Sequence, residues 1–428
     1  MIDRPGSTAA DRRTSAGPPA RWDRLRARAG ALAARANALA ARTGALAGRV
    51  PDRWRYVLTL FVGAKLVLTL VGLIALAVSD GIPGVPPADE AGMRAEQQAI
   101  SPHRWISMWF AWDALIYHHL SRLPLTGPWH EFGFPLFYPF LGRAVAVPLG
   151  GDTALALLLI SNVAFLLLLY YALRLGETLL GDDASARRFT RYLVLLPTAF
   201  LFQAPLTESL FLCLALAAFF YAERGRWVTV GVLGYFLGLS RSVGFLVAVP
   251  LALVLLRQHR YRLDPRSLRA YVRTGWPLAL IPAGWLTFMA FCRWKGGDWF
   301  AYKHAQEAGW GIRVQNPLPV IWHGLGNPGD AVRVGFAVAV LVVVVAGFRR
   351  IGLPYVTYAV LMVLAPLSMG SPVYKSLLRY LLAAFPVGLV LARWARTATA
   401  DAWLSAALAL LQGALFVVWL AYWLHFII

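Results

Sequence analysis

Asp113 stands beside Trp112 just past the first long apolar run, and the segment Phe134–Pro139 (FPLFYP) follows it. A carboxylate next to an aromatic, close outside a greasy segment, is suited to taking a proton from an attacking hydroxyl. Other polar groups recur at the ends of apolar runs. Glu208 lies in Thr207-Glu208-Ser209 after Pro205, and Arg241 lies between Ser240 and Ser242. Lys303, His304, Gln306 and Glu307 sit together, and Lys375 and Arg379 open a late apolar run. Cations of this kind hold a departing phosphate through charge-assisted hydrogen bonds. A carboxylate base, phosphate-binding cations and an apolar groove for a lipid tail together suit glycosyl transfer from a lipid-phosphate sugar. One base acting without a covalent intermediate would invert the anomeric carbon.

Each residue also has a plainer reading. Asp113 could cap a helix or pair with Arg104 or Arg122. Glu208 could sit at a helix start, where a carboxylate meets the positive dipole end. Arg241, Arg379 and Lys375 could snorkel to an interface. His304 could be an ordinary loop histidine, and His118, His119 and His130 show no metal-ligand spacing with a third donor. Metal and cofactor are therefore not expected. Lys65 falls inside an apolar run, where it should meet a carboxylate or backbone carbonyls.

The elements that must position these groups are read from composition. The chain has 428 residues, 59% of them hydrophobic, with net charge +20 and mean hydropathy +0.58. Soluble domains average roughly 45–50% apolar. The long apolar runs are unbroken rather than alternating, which excludes a barrel and leaves helices as the spanning structure. The fold class expected is an all-α polytopic membrane protein. Eleven spans are expected, at 56–78, 153–173, 191–204, 207–222, 228–241, 243–257, 275–293, 331–348, 353–370, 376–393 and 403–427. Residues 134–150 carry Pro135, Pro139, Pro148 and Arg143, and are read as an interfacial or re-entrant segment.

Two domains are expected. Residues 1–55 form a basic cytoplasmic tail: 1–21 without structure, then a helix in which Arg28, Arg35, Arg42 and Arg49 and Leu25, Leu32, Leu39 and Leu46 recur every seven residues. An arginine stripe beside a leucine stripe suits a helix lying on anionic lipid. Residues 56–428 form the multi-span domain, with Tyr56–Val78 acting as an uncleaved signal anchor. The arginine-rich loops, residues 257–273 above all, then fall on the cytoplasmic side with the N-terminus. Long loops at 79–152 and 294–330 fall outside, as do all the polar candidates named above. The positive charge is accounted for by orientation in the membrane, and nucleic acid is not an expected partner. Cys213 and Cys292 lie in apolar stretches and read as buried free thiols.

In order along the chain, Trp112-Asp113, FPLFYP followed by Arg143, Thr207-Glu208-Ser209 after Pro205, Arg241-Ser242-Val243-Gly244, and Gln306-Glu307 with Trp310-Gly311 resemble the GPI mannosyltransferase II (PIG-V) family and its bacterial relatives. The likeness runs from about Tyr56 to Arg393. The resemblance implies a C-type glycosyltransferase (GT-C) fold, a polyprenyl- or dolichyl-phosphate mannose donor and an extracytoplasmic site. It implies Asp113 as the base, with Glu208 and Arg241 lining the same cavity and Arg379 near the donor phosphate. Trp112, Tyr138, His304, Gln306, Glu307 and Lys375 are further expected substrate contacts. The segment Ala114-Leu115-Ile116-Tyr117-His118-His119-Leu120 departs from the family pattern and lacks its Gly-Tyr. The alanine- and arginine-rich, lysine-poor composition suits a high-GC bacterium, whose plasma membrane would hold the protein. The acceptor expected there is an envelope glycolipid, a lipoglycan or a protein. Alternatives are a transporter or flippase of lipid-linked sugars, and an accessory membrane subunit without activity.

Overall fold

In the computed structural model, residues 50–79, 91–122 and 129–422 are described. The heptad helix expected at 25–49 lies outside them. The chain forms two compact units, Met1–Arg55 and Tyr56–Ile428. Of the first, residues 50–55 show Pro51 leading into a helix whose first turn carries an Asp52–Arg55 ion pair. All the candidate site residues belong to the second unit.

The described residues form helices and helical turns, with no strand among them. Among the described residues, five helices are long and apolar enough to cross a bilayer: Asp52–Ser79, Thr153–Leu180, Pro265–Gly296, Pro328–Ala346 and Ala398–Ala421. A sixth crossing is available if Ser371–Ala383 and Pro386–Trp394, bent by 63°, act as one. Leu66, Val67, Leu70 and Ile74 project from the Asp52–Ser79 helix without protein cover. In water such a stripe would be an aggregation site, whereas in lipid it is the ordinary outer surface. This is a helical membrane protein.

The other expected spans form shorter helices. Residues 191–204 break at Pro197 into the end of Asp183–Leu195 and a 3-10 turn, Ala199–Gln203. Residues 207–222 form Glu208–Glu223, and the runs near 228–241, 243–257 and 353–370 give Trp227–Ser240, Gly244–Gln258 and Leu353–Leu367. Hydropathy sums across prolines and turns that the backbone cannot pass through as one helix. The segment at 134–150 contains Phe137–Leu149, which at 1.5 Å per residue is about 20 Å long and too short to cross.

The inner layer is built on Thr153–Leu180, which packs along Glu208–Glu223. Its buried residues are mostly apolar and mix small with large (Ala156, Ala164, Ala172; Phe165, Leu168, Leu169), with Asp152 capping the first turn by accepting from the Leu155 N–H at 2.9 Å.

Trp227–Ser240 packs on Leu280–Gly296 through glycines. A Cβ on Gly231 would lie 2.5 Å from the Pro277 carbonyl oxygen, and one on Gly284 would lie 3.0 Å from the Leu239 nitrogen and press on the Tyr235 carbonyl. Backbone meets backbone here, in the manner of small-residue helix pairs in membranes. Gly284→Ala should therefore cost about 1–3 kcal/mol, read as a lower midpoint of thermal inactivation in detergent. An unchanged midpoint would mean that the two helices separate freely. This contact matters for the site, because Arg241 follows one helix and Tyr302 follows the other.

Candidate active site

Asp113 opens the helix Asp113–Arg122. The turn before it places Trp112 at φ 57°, a left-handed backbone rare for a bulky residue. Packing holds it there: the Trp112 ring is buried and its indole N–H donates to the Trp419 carbonyl at 3.1 Å. Such a strained position persists only where the surroundings over-determine it. Trp112 thus aims Asp113 and does not itself line the cavity.

Four charges form a chain. The Arg379 guanidinium donates from Nη1 to Asp113 and from Nε to Glu208 Oε1 at 2.5 Å; Arg241 Nη1 donates to the same Oε1 at 2.7 Å. Side-chain exposure runs 23% for Asp113, 3% for Arg379, 2% for Glu208 and 14% for Arg241. The two middle members are buried; Asp113, Arg379 and Arg241 border a cavity, and Glu208 lies behind them. One end offers a proton acceptor and the other a cation. Arg241 is further held by the faces of Phe211 and Tyr380, 5.7 and 5.3 Å from the ring centroids. Asp113 pairs with Arg379, and Glu208 stands at its helix start, as its plain reading has it, and carries both arginines there.

The cavity, about 70 Å³, is lined by Asp113, Tyr117, Arg241, Tyr302, Gln306, Arg379 and Tyr380 among others. It continues into an apolar groove of about 400 Å³ that includes Phe245, Leu246, Trp285, Ile312, Val314 and Lys303. Ser242, Val243, Tyr302, Gln306 and Met369 border both. Burial raises the Tyr117 phenol above its ordinary range against the opposing Arg379 charge, and pushes Tyr302 up to about 12 against its hydrogen bond with Ser242. Both hydroxyls stay protonated near neutral pH and can donate to a ligand.

The FPLFYP segment is a brace. Phe134 sits edge-on to Trp310 at 5.5 Å, Phe137 stacks on Phe236 at 5.3 Å, and Tyr138 meets Ser161 Oγ at 2.6 Å. Tyr138 is fully buried and lies under Tyr117 at 5.4 Å, so it supports the cavity without lining it. Gln306 lines the cavity and donates to the Gly133 carbonyl at 2.5 Å, tying the second loop to the first.

Three other expected contacts lie apart from the cavity lining. His304 is exposed and pairs with Asp298 at 2.6 Å, Glu307 pairs with Arg313 at 2.6 Å, and Lys375 is exposed. Neighbours in sequence claim the first two. Lys65 also departs from expectation. Its ammonium lies 4.0 Å from the Trp109 ring centroid with no hydrogen-bond partner among the described residues, so the indole face takes the place of a carboxylate. Tyr117, Tyr302 and Tyr380 do not stand out in the sequence as site residues. Tyr117 carries a usable signal, since it stands four residues after Asp113 on one helix face; Tyr302 carries none. Among the described residues no cluster of three or more His, Cys, Asp or Glu side chains is placed to hold a metal.

A separate polar cleft of about 360 Å³ beside the same helix includes Glu96, His118, Arg122 and Asp152. Burial pushes the His118 imidazole down to about 4, helped by Arg122 and His119 and opposed by Asp152. The folded ring stays neutral while the unfolded ring, near 6.5, takes up a proton. Stability should therefore fall as pH drops from 6.5 toward 4, and His118→Gln should flatten that part of the melting-point profile. A variant profile parallel to the wild type would assign the acid sensitivity elsewhere.

No protein-family model and no curated protein matches the chain.

Proposed function

We propose that this protein is a membrane glycosyltransferase of the GT-C type, related to the PIG-V family. In this reading it moves a mannosyl or other hexosyl unit from a polyprenyl-phosphate sugar to an envelope glycolipid, lipoglycan or protein. The observation that carries the reading is the continuity of a charged cavity with an apolar groove across five shared residues. A lipid-phosphate sugar has this polarity, with a polar head joined through a phosphate to a long apolar tail. The tail occupies the groove past Phe245 and Trp285, and the phosphate meets Arg241.

The acceptor hydroxyl attacks the anomeric carbon and gives its proton to the Asp113 carboxylate. The new oxygen–carbon bond forms as the bond from that carbon to the phosphate oxygen breaks. The electron pair leaves on the polyprenyl phosphate, where Arg241 stabilises the added charge. Configuration is inverted. The reading also takes the shorter apolar helices as tilted or paired crossings, eleven in all. The cavity then lies on the extracytoplasmic face of a bacterial plasma membrane, with the N-terminus inside.

The test is to incubate the purified full-length protein with polyprenyl-phosphate mannose and fractionated envelope lipids, then identify products by mass spectrometry. A product heavier by one hexose, with inverted configuration, is expected. Translocation of the lipid-linked sugar across vesicles with no transfer to any acceptor would replace this reading with transport.

A further inference from the structure

A second cleft lies at the other end of two helices that frame the cavity. Gly244–Gln258 leaves the Arg241–Ser242 rim, and Pro265–Gly296 returns toward Tyr302. Where they join, a cleft of about 230 Å³ is lined by Gln258, His259, Arg260, Arg262 and Ser267. Every one of these side chains can donate a hydrogen bond, and none is a carboxylate.

The backbone here is unusual. Arg260 and Tyr261 are consecutive non-glycine residues in the left-handed region, at φ 56° and 55°. The Tyr261 N–H donates to the Leu256 carbonyl at 2.8 Å, and the Tyr271 hydroxyl donates to the Arg262 carbonyl at 2.8 Å. A turn held in a sparsely populated conformation points to a task for the side chains it presents.

Nearby acids are already engaged. Asp264 accepts from the N–H groups of Arg266 and Ser267 and from the Ser267 hydroxyl. Glu223 is taken by Arg257 and the Tyr355 hydroxyl. Among the described residues, the ion pairs include none of Arg260, Arg262, Arg266, Arg269 and Arg273.

Helix length places this cluster against the membrane. Pro265–Gly296 is a 32-residue span that runs through a 3-10 turn at Trp276–Ala279, about 48 Å long and well beyond a hydrocarbon core of about 30 Å. Its charge-free stretch runs from Thr274 to Cys292, about 28 Å. The turns before it, residues 265–273, bury no residue and lie beyond that stretch, where a headgroup layer would meet them. Arg266, Arg269 and Arg273 share one face there, while the exposed Leu268, Val272 and Trp276 run beside them toward the acyl chains.

We propose that the cleft and its arginine face form a binding site for the phosphate headgroup of an anionic membrane lipid, at the end of the bundle opposite the cavity. This site does not depend on the transfer reaction.

The test titrates phosphatidylglycerol or phosphatidylcholine into delipidated full-length protein and counts bound lipid by native mass spectrometry. Phosphatidylglycerol should bind about tenfold tighter or more. The Arg260→Gln/Arg262→Gln variant should bring the two lipids within about twofold, while Arg349→Gln/Arg350→Gln, in a different basic turn, should keep the preference. A preference that survives the first variant, or is lost equally in the second, overturns the site. Displacement of the lipid by millimolar inorganic phosphate would overturn its assignment to a lipid headgroup.

Discussion

Asp113→Asn should lower hexosyl transfer about 10²- to 10⁴-fold, the span general-base catalysis supplies, while leaving yield and melting point near wild type. The amide keeps the carboxylate's shape, and its oxygen can still accept from Arg379, so the neighbourhood stays intact. What disappears is the capacity to hold the acceptor's proton. Alanine would be a poorer test, because it strips Arg379 of one of its two acids and mixes a structural effect with a chemical one. Transfer within about threefold of wild type would remove Asp113 from the chemistry.

Arg379→Met should cost about 3 kcal/mol of stability, the low end of the penalty for breaking a buried ion pair, because Glu208 keeps Arg241. Arg379 is the only member of the charge chain that bonds two carboxylates, and it is sealed from solvent. Without it, Glu208 keeps Arg241 alone, and its second oxygen, Oε2, is already buried without a hydrogen-bond partner. Denaturant midpoints in detergent should show the loss. Glu208→Gln/Arg379→Met should lose less than the two single changes added together, because the second substitution removes the charge stranded by the first. Simple additivity would mean that the two residues act independently. The cycle also separates support from chemistry, since recovered stability in the double variant should bring no recovery of transfer.

Local pattern carries a good deal of this molecule. Unbroken apolar runs specify helices in lipid, because each backbone group must be satisfied within its own segment. The long helices at 52–79, 153–180, 265–296, 328–346 and 398–421 follow from that rule alone. So does the short list of polar groups, since charges beside apolar runs stand out by their cost. Local pattern misleads where neighbours compete. His304 and Glu307 look available in sequence, yet Asp298 and Arg313, each six residues away, take them. Trp112 and Tyr138 read as ligand contacts, and in the fold they lie outside the cavity lining, bonded to the Trp419 carbonyl and to Ser161.

Which acid meets which base is settled by packing in three dimensions. Asp113 and Arg379 are 266 residues apart, and Glu208 and Arg379 are 171 apart. Periodicity shows which face of a helix is buried but carries no information about the partner that buries it. The same holds for the groove, whose walls come from helices separated along the chain, and for the glycine contact that sets Arg241 beside Tyr302. Helix formation is a property of neighbouring residues, whereas a site is made by distant ones, and their meeting is set by how the helices pack.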